Sequence, residues 1–282
     1  MYNNFFEQAI ENAIFEDIGD GDHSSLSCIP DDAIGKAKLF VKQNGIIAGL
    51  AIAKSVFQKI DPKLKVELFL TDGQEIKHGD IAFVVEGPVQ SILKSERLVL
   101  NILQRMSGIA TETKAYVDKT KGTNTKILDT RKTTPNFRYF EKLAVKIGGG
   151  ENHRMGLYDM IMLKDNHIDF AGGIEKAIVR TNKYLKENNK KLKIEIEVRT
   201  IDDIKKVLEI GGVDRIMFDN FTPELTKTAV DLVDKRVETE SSGGITLENV
   251  AEYAKTGVDY ISIGALTHQI KSLDMSLKAI DF

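Results

Sequence analysis

The part of the chain after residue 121 repeats one pattern, in which a short apolar segment ends in polar or glycine residues and an amphipathic helical segment follows. The segments predicted as strands are residues 126–129, 160–164, 193–198, 214–219, 237–241 and 260–264. Repeated β/α units require right-handed crossovers and produce a parallel sheet. Six or seven such units in about 160 residues fit a closed barrel better than an open sheet. The dinucleotide-binding pattern GxGxxG is also absent after the first strand, which argues against the open sheet.

The first 120 residues predict a mixed α/β region instead of this regular alternation. Residues 5–18 carry apolar side chains on one helical face, and residues 91–120 return to a helical pattern. Short strand-like runs lie between the two helices, at residues 37–41, 65–70 and 81–86. The chain therefore predicts two regions of different architecture.

Composition excludes several classes of function. A net charge of −3 creates no field that attracts nucleic acid or an anionic membrane. No segment approaches the roughly 20 apolar residues that span a bilayer, and residues 1–10 lack the apolar run of a secretory signal. The single cysteine, Cys28, cannot form an internal disulfide and fits a reducing compartment. We therefore expect a soluble cytoplasmic protein that binds neither nucleic acid nor membrane.

Basic residues gather where the predicted strands end, and barrel enzymes carry their chemistry at these carboxyl ends. The residues considered for this cluster are Arg97, Arg105, Arg131, Lys132, His153, Arg154 and Lys164. A guanidinium group binds carboxylate or phosphate with two hydrogen bonds, while an ammonium group acts as a point charge. The cluster therefore predicts a substrate with several negative charges. Any one of these residues alone could be a solvated surface residue, whereas Arg131, Lys132 and Lys164 lie directly at strand ends and favour ligand binding.

Acidic residues lie at neighbouring strand ends. Glu195 and Glu197 are two residues apart on a predicted strand, so they point to one face, roughly 7 Å from each other. Inward-facing carboxylates are costly unless they are solvated, paired or bound to a cation. With Asp219 on the next strand, they could hold magnesium or ribose hydroxyl groups. They could equally pair with basic residues inside the barrel, and both interpretations can be true.

Glycine-rich segments follow the last two predicted strands. Residues 241–244, Ser-Ser-Gly-Gly, end one strand and are expected to open a helix, and Gly264-Ala265 end the next strand. Backbone N–H groups at a helix start bind anions, and the last strands of a barrel often form a phosphate site. We therefore predict a phosphate clamp there, although such a segment alone is usually a turn. Residues 148–150 predict a flexible loop, or a plain linker, before the pair His153-Arg154.

Other common catalytic motifs are missing from the sequence. Neither His153 nor His167 has a metal-binding spacing such as HExxH, Cys28 has no second thiol, and no GxSxG elbow occurs. Zinc hydrolysis, thiol catalysis and serine esterase activity are therefore unsupported.

Several long strings of the sequence are specific enough to indicate a family. The longest are DTRKTTP at residues 129–135, KIGGGENHRMGLYDMIMLKDNHI at residues 146–168 and ESSGGIT at residues 240–246. Others follow in order: EDIGDGDHSS from Glu16, GIIAG from Gly45, NILQRMSGIAT from Asn101, IMFDNFTPE from Ile216 and TGVDYISIGALTH from Thr256. Together they closely resemble the quinolinate phosphoribosyltransferase family, from about residue 10 to the C-terminus.

The resemblance implies an N-terminal α/β sandwich followed by an incomplete (β/α) barrel of parallel strands. We place the sandwich at residues 1–110, with the option that the C-terminal segment 267–282 joins it, and the barrel at residues 111–266. The resemblance further implies a homodimer, in which the N-terminal domain of one subunit covers the barrel mouth of the other and contributes Arg97 to its site.

The resemblance also assigns a role to each matching residue. Residues that match the group holding the quinolinate carboxylates are Arg97, Arg131, His153, Arg154 and Lys164. Residues that match catalytic positions are Lys132, near phosphoribosyl pyrophosphate, and Glu197 and Asp219, associated with ribose hydroxyls and Mg²⁺. Residues that match the 5'-phosphate clamp are Ser242, Gly243, Gly244, Gly264 and, beside them, Ala265. One departure is Asn136-Phe137, where the family usually has Gly-Leu, so the conformation of the loop after Pro135 does not carry over.

The implied activity is that of a decarboxylating glycosyltransferase in de novo NAD biosynthesis. It transfers ribose 5-phosphate from phosphoribosyl pyrophosphate to quinolinate and yields nicotinate mononucleotide, pyrophosphate and carbon dioxide. Three alternatives stay open: a phosphoribosyltransferase for another acid such as nicotinate, a non-catalytic protein that binds a phosphorylated ligand, and a barrel aldolase with Lys164 as its Schiff base. Nicotinate turnover, a lack of pyrophosphate release and borohydride trapping, respectively, would reveal them.

Overall fold

The computed structural model describes residues 2–280 and the side chains of residues 5–280. The described chain forms two compact units. The first contains residues 2–114, 133–149 and 265–280, and the second contains residues 115–132 and 150–264. Each unit is therefore assembled from segments that are separate in the sequence.

The first unit contains an antiparallel sheet. Its strands, in the order in which they pair, are β12 (Met275–Ile280), β1 (Ile34–Val41), β5 (Ile81–Pro88) and β3 (Lys65–Leu68). A separate pair consists of β2 (Gly45–Ile46) and β4 (Glu75–Ile76). Every second residue of β1 is buried, as the alternation of apolar residues in a strand predicts. The strand β12 pairs with β1 over its whole length, so the C-terminal strand belongs to this unit.

Helices of the first unit pack closely enough to require glycine at one point. They are α1 (Tyr2–Ile18), α2 (His23–Cys28), α3 (Leu50–Ile60), most of α4 (Val89–Lys119), α5 (Arg138–Ile147) and α11 (Ala265–His268). The two helices predicted from the sequence correspond to α1 and α4. Helix α5 ends at Gly148, where a Cβ would overlap the Ala110 carbonyl oxygen and lie 2.7 Å from the Thr113 Cβ. Gly148 is therefore a buried packing point, which corrects the expectation of a flexible loop at this residue.

Six parallel strands form the sheet of the second unit. They are β6 (Lys126–Leu128), β7 (Ile161–Leu163), β8 (Ile194–Val198), β9 (Arg215–Asp219), β10 (Glu238–Ser242) and β11 (Tyr260–Ser262). They pair in the order β6, β11, β10, β9, β8 and β7. The bounds of each strand agree with a segment predicted from the sequence to within two residues. Six strands are fewer than the eight of a complete barrel, so the unit is an incomplete barrel of parallel strands.

Helices follow the strands, and their caps are encoded directly after the strand ends. They are α6 (Asp165–Ala171), α7 (Ile174–Glu187), α8 (Ile201–Ile210), α9 (Pro223–Val233) and α10 (Val250–Ala254). The Thr200 side chain accepts a hydrogen bond from the Asp203 N–H at the start of α8, and Thr222 does the same at the start of α9. Short capped connections thus keep the last residues of β8 and β9 at the edge of the sheet. Within the described part of the chain, no helix is long and apolar enough to cross a bilayer.

Candidate active site

The carboxyl ends of the parallel strands bring the predicted site residues of the second unit to one edge of its sheet. These residues are Arg131 and Lys132 after β6, Lys164 after β7, Glu197 in β8, Asp219 in β9, Ser242–Gly244 at the end of β10, and Gly264 after β11. The pairing of the strands places Ser242 beside Asp219 on one side and Ser262 on the other. Because all six strands point the same way, this edge is where a ligand of the sheet binds.

A second basic segment is fixed beside the end of β6. The carboxylate of Asp129 is fully buried and accepts a hydrogen bond from the His153 backbone N–H at 2.8 Å. Nearby, the Glu151 N–H donates to the Ile127 carbonyl oxygen at 2.8 Å, so this segment pairs with β6. The segments that carry Arg131 and Arg154 are therefore held side by side although they are separated in the sequence.

The Arg131 and Arg154 guanidinium groups form a pair of like charges. Arg154 is half-buried, and its Nη1 donates to the Met160 carbonyl oxygen at 3.1 Å. Burial lowers the pKa of Arg154, and the charge of Arg131 lowers it further, while Glu195 and Asp159 act in the opposite direction. Two cationic groups held together favour an anion between them. This pair therefore marks the position best suited to a carboxylate or phosphate of a ligand.

Two lysines add positive charge at the same edge. The exposed Lys132 is fixed through its backbone N–H, which donates to the Thr130 hydroxyl at 3.0 Å. The Lys164 ammonium lies 3.9 Å from the Glu197 carboxylate, and the Lys164 N–H donates to His167 Nδ1 at 3.0 Å. A partly exposed ion pair at that distance is weak, so the Lys164 ammonium can also contact a ligand.

Glu197 and Asp219 form an acid pair on neighbouring strands. Burial raises the pKa of the Glu197 carboxyl, the charge of Asp219 raises it further, and Lys164 lowers it. Asp219 accepts a hydrogen bond from the Asn220 side-chain amide at 2.8 Å. Carboxylates that disfavour each other's charge are stabilised by a divalent cation or by hydroxyl donors. The pair has the donor set for either ligand.

Conformation requires glycine in the loop after β10. Gly243 and Gly244 have φ values of 93° and 64°, in the left-handed region. A Cβ at Gly243 would also overlap the Asn220 side chain and lie 3.1 Å from the Asn220 backbone nitrogen. The Asn220 N–H in turn donates to the Ser242 carbonyl oxygen at 2.8 Å. The loop is therefore packed tightly against the end of β9.

The glycines of this loop do not lead directly into a helix. Helix α10 begins at Val250, after a turn in which the Thr246 N–H donates to the Asn249 side chain at 2.8 Å. The expectation that residues 241–244 open a helix is therefore wrong, because the turn occupies the intervening residues. An anion at this loop would therefore be bound by the N–H groups of the loop itself and not by a helix start. Of the second glycine segment, Gly264 belongs to the second unit and Ala265 starts α11 of the first.

A buried charged network fills the polar face of the parallel sheet. Arg215 Nη1 donates to Glu240 Oε2 at 2.9 Å, and Arg215 Nη2 donates to Glu238 Oε2 at 3.1 Å. The Arg215 guanidinium also stacks 3.9 Å from the centre of the Tyr260 ring. His153 Nε2 lies 2.9 Å from Glu195 Oε2 and 3.5 Å from Glu240 Oε2. Four elements of the second unit thus meet in one set of ionisable groups.

Burial controls the charge of the two acids in this network. Burial raises the pKa of Glu240 to about 7, with the charge of Glu195 adding to the effect and His153 and Arg215 opposing it. Burial also raises the pKa of Glu195, against the attraction of Arg215. The Glu240 carboxyl therefore keeps a proton up to about neutral pH, and the Glu195 carboxyl is shifted in the same direction. Glu195 therefore lies among charged groups inside the sheet, which is the second of the two alternatives given for the acidic residues. Glu197, two residues later, lies at the edge of the sheet.

Two arginines considered from the sequence lie in the first unit. Arg97 is exposed on α4. Arg105 Nη2 lies 2.7 Å from the fully buried Glu141 carboxylate and donates to the Thr267 carbonyl oxygen at 2.7 Å. Glu141 also accepts a hydrogen bond from the Thr134 N–H at 3.1 Å. The Arg105 guanidinium is therefore committed to internal contacts that fix the segment after Lys132.

Arg215 and Glu240, which belong to the buried charged network, were not predicted from the sequence. A signal for them was present, because Arg215 lies on the same face of its strand as Asp219, and Glu240 lies on the same face as Ser242. Charged residues at alternate positions of a buried strand indicate an internal polar layer.

A parallel β/α sheet with paired guanidinium groups, paired carboxylates and a glycine loop at its strand ends defines an enzyme class that acts on anionic, phosphate-bearing substrates. Two family models match the chain: the N-terminal domain of quinolinate phosphoribosyl transferase over residues 22–107 and the C-terminal domain over residues 109–278. The chain belongs to the quinolinate phosphoribosyl transferase family.

Relatives from plants and bacteria have the corresponding names. Quinolinate phosphoribosyltransferase [decarboxylating] 1b from Nicotiana tabacum is 46% identical, covering 95% of this chain and 81% of the relative. The probable nicotinate-nucleotide pyrophosphorylase [carboxylating] from Bacillus subtilis is 41% identical, covering 96% and 92%. The chain is therefore an enzyme of this family along almost its whole length.

Solved structures agree with this assignment. NadC from Streptococcus pyogenes has a TM-score of 0.91 and 38% identity, covering 98% of this chain and 97% of that one. The nicotinate-nucleotide pyrophosphorylase from Francisella tularensis has the same TM-score and 36% identity, covering 99% and 97%. Human nicotinic acid phosphoribosyltransferase, at 12% identity and a TM-score of 0.65, covering 92% of this chain and 72% of that one, shows a similarity of fold.

Proposed function

We propose that this chain is a decarboxylating quinolinate phosphoribosyltransferase, which joins quinolinate to the ribose 5-phosphate of phosphoribosyl pyrophosphate and releases pyrophosphate and carbon dioxide. The observation that carries the proposal is that a guanidinium pair and a carboxylate pair lie at one edge of the same parallel sheet, in a chain of this family. The first pair suits a dicarboxylate, and the second suits a ribose and its cation. The two substrates meet between them.

The quinolinate-binding group in this proposal contains Arg97, Arg131, His153, Arg154 and Lys164. Both carboxylates of quinolinate are anionic, so the mutual repulsion of Arg131 and Arg154 is relieved when the substrate binds. Binding also orients the ring nitrogen toward the ribose, which contributes through proximity and alignment. Once the nitrogen is alkylated, the cationic ring stabilises the carbanion left when carbon dioxide departs, so no protein base is needed for that step. The carbanion then takes up a proton from water to give nicotinate mononucleotide.

The phosphoribosyl side of the site contains Lys132, Glu197, Asp219 and the loop of residues 242–244, with Gly264 and Ala265 beside it. Lys132 supports the charge of the departing pyrophosphate. Glu197 and Asp219 accept hydrogen bonds from the ribose hydroxyls and face the positive charge that develops on the ribose. The loop N–H groups around Gly243 and Gly244 hold the 5'-phosphate.

Magnesium fits the acid pair. Mg²⁺ is bound in proteins by one or two carboxylates together with water and substrate phosphates. Glu197 and Asp219 supply two carboxylates at adjacent strand ends, and the charge of Asp219 raises the pKa of Glu197. When bound, the ion would neutralise charge on the leaving pyrophosphate. Chelation by EDTA should therefore abolish turnover, and added Mg²⁺ should restore it.

The test of the reaction measures pyrophosphate and carbon dioxide from purified protein supplied with phosphoribosyl pyrophosphate, Mg²⁺ and quinolinate, with nicotinate in a parallel reaction. The expected result is equal release of pyrophosphate and carbon dioxide in the reaction with quinolinate and no release in the reaction with nicotinate. Turnover of nicotinate at the same rate would assign the chain to a different pyridine acid. A lack of pyrophosphate with either acid would leave only a binding protein.

We also propose that the enzyme is a cytoplasmic homodimer in which the exposed Arg97 completes the site of the partner subunit. The test mixes Arg97→Ala chains with Arg131→Ala chains, at a quinolinate concentration near the wild-type KM where each should be almost inactive alone. A mixed dimer has one site with neither substitution, so random reassembly should restore about a quarter of wild-type activity. If mixing restores no activity although mixed dimers form, Arg97 acts within its own subunit or not at all.

A further inference from the structure

The imidazole of His153 is held by both of its nitrogens. The Arg154 backbone N–H donates to His153 Nδ1 at 2.6 Å, so Nδ1 is an acceptor and the ring proton is on Nε2. Nε2 lies close to the buried acids, with Glu195 Oε2 at 2.9 Å and Glu240 Oε2 at 3.5 Å. The ring is therefore engaged on both sides, and its orientation determines where the Arg154 backbone lies.

This geometry argues against a metal ion bound by the same three side chains. Ligand atoms of His153, Glu195 and Glu240 lie within 4.8 Å of one another, close enough to share a cation. However, Nδ1 already accepts an N–H, so a metal at Nε2 would require an imidazolate. The Arg215 guanidinium also already supplies the positive charge beside Glu240 Oε2, at 2.9 Å. The cluster therefore holds a side chain in place instead of an ion.

Glu240 connects this ring to the interior of the sheet. Its Oε2 faces Arg215 Nη1 and His153 Nε2, and the side chain is fully buried. The His153 backbone is fixed separately by the buried Asp129, two residues before Arg131. Both guanidinium-bearing segments are therefore anchored to the same histidine.

We propose that Glu240 is a positioning residue that acts through His153 on Arg154. Its effect is to hold the two repelling guanidinium groups at the spacing that suits a ring with two neighbouring carboxylates. Glu240 itself touches no substrate, and its contribution is to dicarboxylate binding. The inference rests on the proposed function, because it assigns the guanidinium pair to the dicarboxylate.

The test is steady-state kinetics of Glu240→Gln. At pH 8, where Glu240 carries its charge, the variant keeps the shape of the side chain but weakens the contacts to Arg215 and His153, so KM for quinolinate should rise by about tenfold. KM for phosphoribosyl pyrophosphate should stay at the wild-type value, because the phosphoribosyl side is untouched. The advantage of quinolinate over nicotinate, measured with nicotinate as a competing ligand, should shrink by a similar factor.

Glu238→Gln is the matched control. Glu238 lies on the same strand and binds the same arginine, with Nη2 at 3.1 Å, but its ion pairs are with Arg215 and Lys193. This variant should leave both KM values unchanged. If Glu240→Gln also leaves both unchanged, or raises both together, the positioning role is overturned.

A measurement on the wild-type enzyme tests the same geometry, with one variant used only to assign the signal. ¹⁵N NMR of labelled histidine, assigned with His153→Gln, should show Nδ1 of His153 without a proton at neutral pH. A proton on Nδ1 would contradict the inference. An enzyme inactive with quinolinate would instead refute the proposed function, and the NMR result would still report on the geometry.

Discussion

Raising the pH should destabilise the folded protein through Glu240. Burial raises the pKa of this carboxyl from 4.5 to about 7, so the folded protein binds a proton more tightly than the unfolded chain does. The stabilising contribution of that proton is complete below pH 4.5 and is lost as the pH rises through about 7. The shift corresponds to a loss of roughly 2 to 3 kcal/mol between pH 5 and pH 8.

The assay compares the free energy of unfolding of wild type and Glu240→Gln at each pH, from urea denaturation at one fixed protein concentration. Glutamine resembles the neutral carboxyl, so the stability difference between the two proteins is set near pH 5 mainly by altered hydrogen bonds. At pH 8 the wild type carries a buried charge that the variant lacks. The variant should therefore gain roughly 2 to 3 kcal/mol relative to wild type over this range.

The groups that face Glu240 set the controls for this prediction. They are Glu195 on β8, Arg215 on β9, Ser262 on β11 and His153 in the loop before β7. Glu238→Gln should show no such gain, since the pKa of Glu238 is lowered, with Arg215 and Lys193 outweighing its burial. A stability difference between wild type and Glu240→Gln that stays constant from pH 5 to pH 8 would refute the reasoning.

Four further substitutions test the site and its support. Gly244→Ala should lower the free energy of unfolding by about 1 kcal/mol, because alanine disfavours a positive φ. Gly243→Ala should lower it by at least about 2 kcal/mol, since its Cβ also overlaps Asn220; equal losses in urea denaturation would contradict the described packing. Glu141→Gln should lower it by roughly 2 to 3 kcal/mol, because the partly exposed Arg105 loses a charged partner that is fully buried; an unchanged urea midpoint would show that the ion pair contributes nothing. Arg131→Ala should raise KM for quinolinate by about a hundredfold with little effect on KM for phosphoribosyl pyrophosphate; an unchanged KM for quinolinate would remove Arg131 from the carboxylate group.

The sequence was sufficient to predict the parallel strands because each is a short apolar run that ends in polar residues. Residues 194–198 show why: isoleucine and valine alternate with glutamate, so one face packs on helices and the other faces inward. The capped helices that follow have equally local signals, such as Thr222 followed by Pro223. These features depend on neighbours in the chain, and pattern alone therefore reveals them.

Contacts between segments that are distant in the chain could not be predicted from the sequence pattern. Nothing in the local sequence distinguishes Gly148 as a packing point, since its reason is the Ala110 carbonyl oxygen on another helix. Likewise, Arg105 has the same residue type and helical setting as Arg97, and only the fold reveals its buried partner Glu141. The orientation of the His153 ring belongs to the same category, because it is set by acids on two strands.

The pleat of the strands connects what is buried with what can bind a ligand. Side chains two residues apart point to the same face of a strand and lie about 7 Å apart along it. In β8 the buried Glu195 is followed in this way by Glu197 at the edge, and in β10 the buried Glu240 is followed by Ser242. A larger side chain at an inner position would therefore displace the strand that carries the outer residue, whereas an isosteric change such as Glu240→Gln leaves the strand in place. The inner acids are thus constrained by the geometry of the site even though they are too deeply buried to touch a substrate.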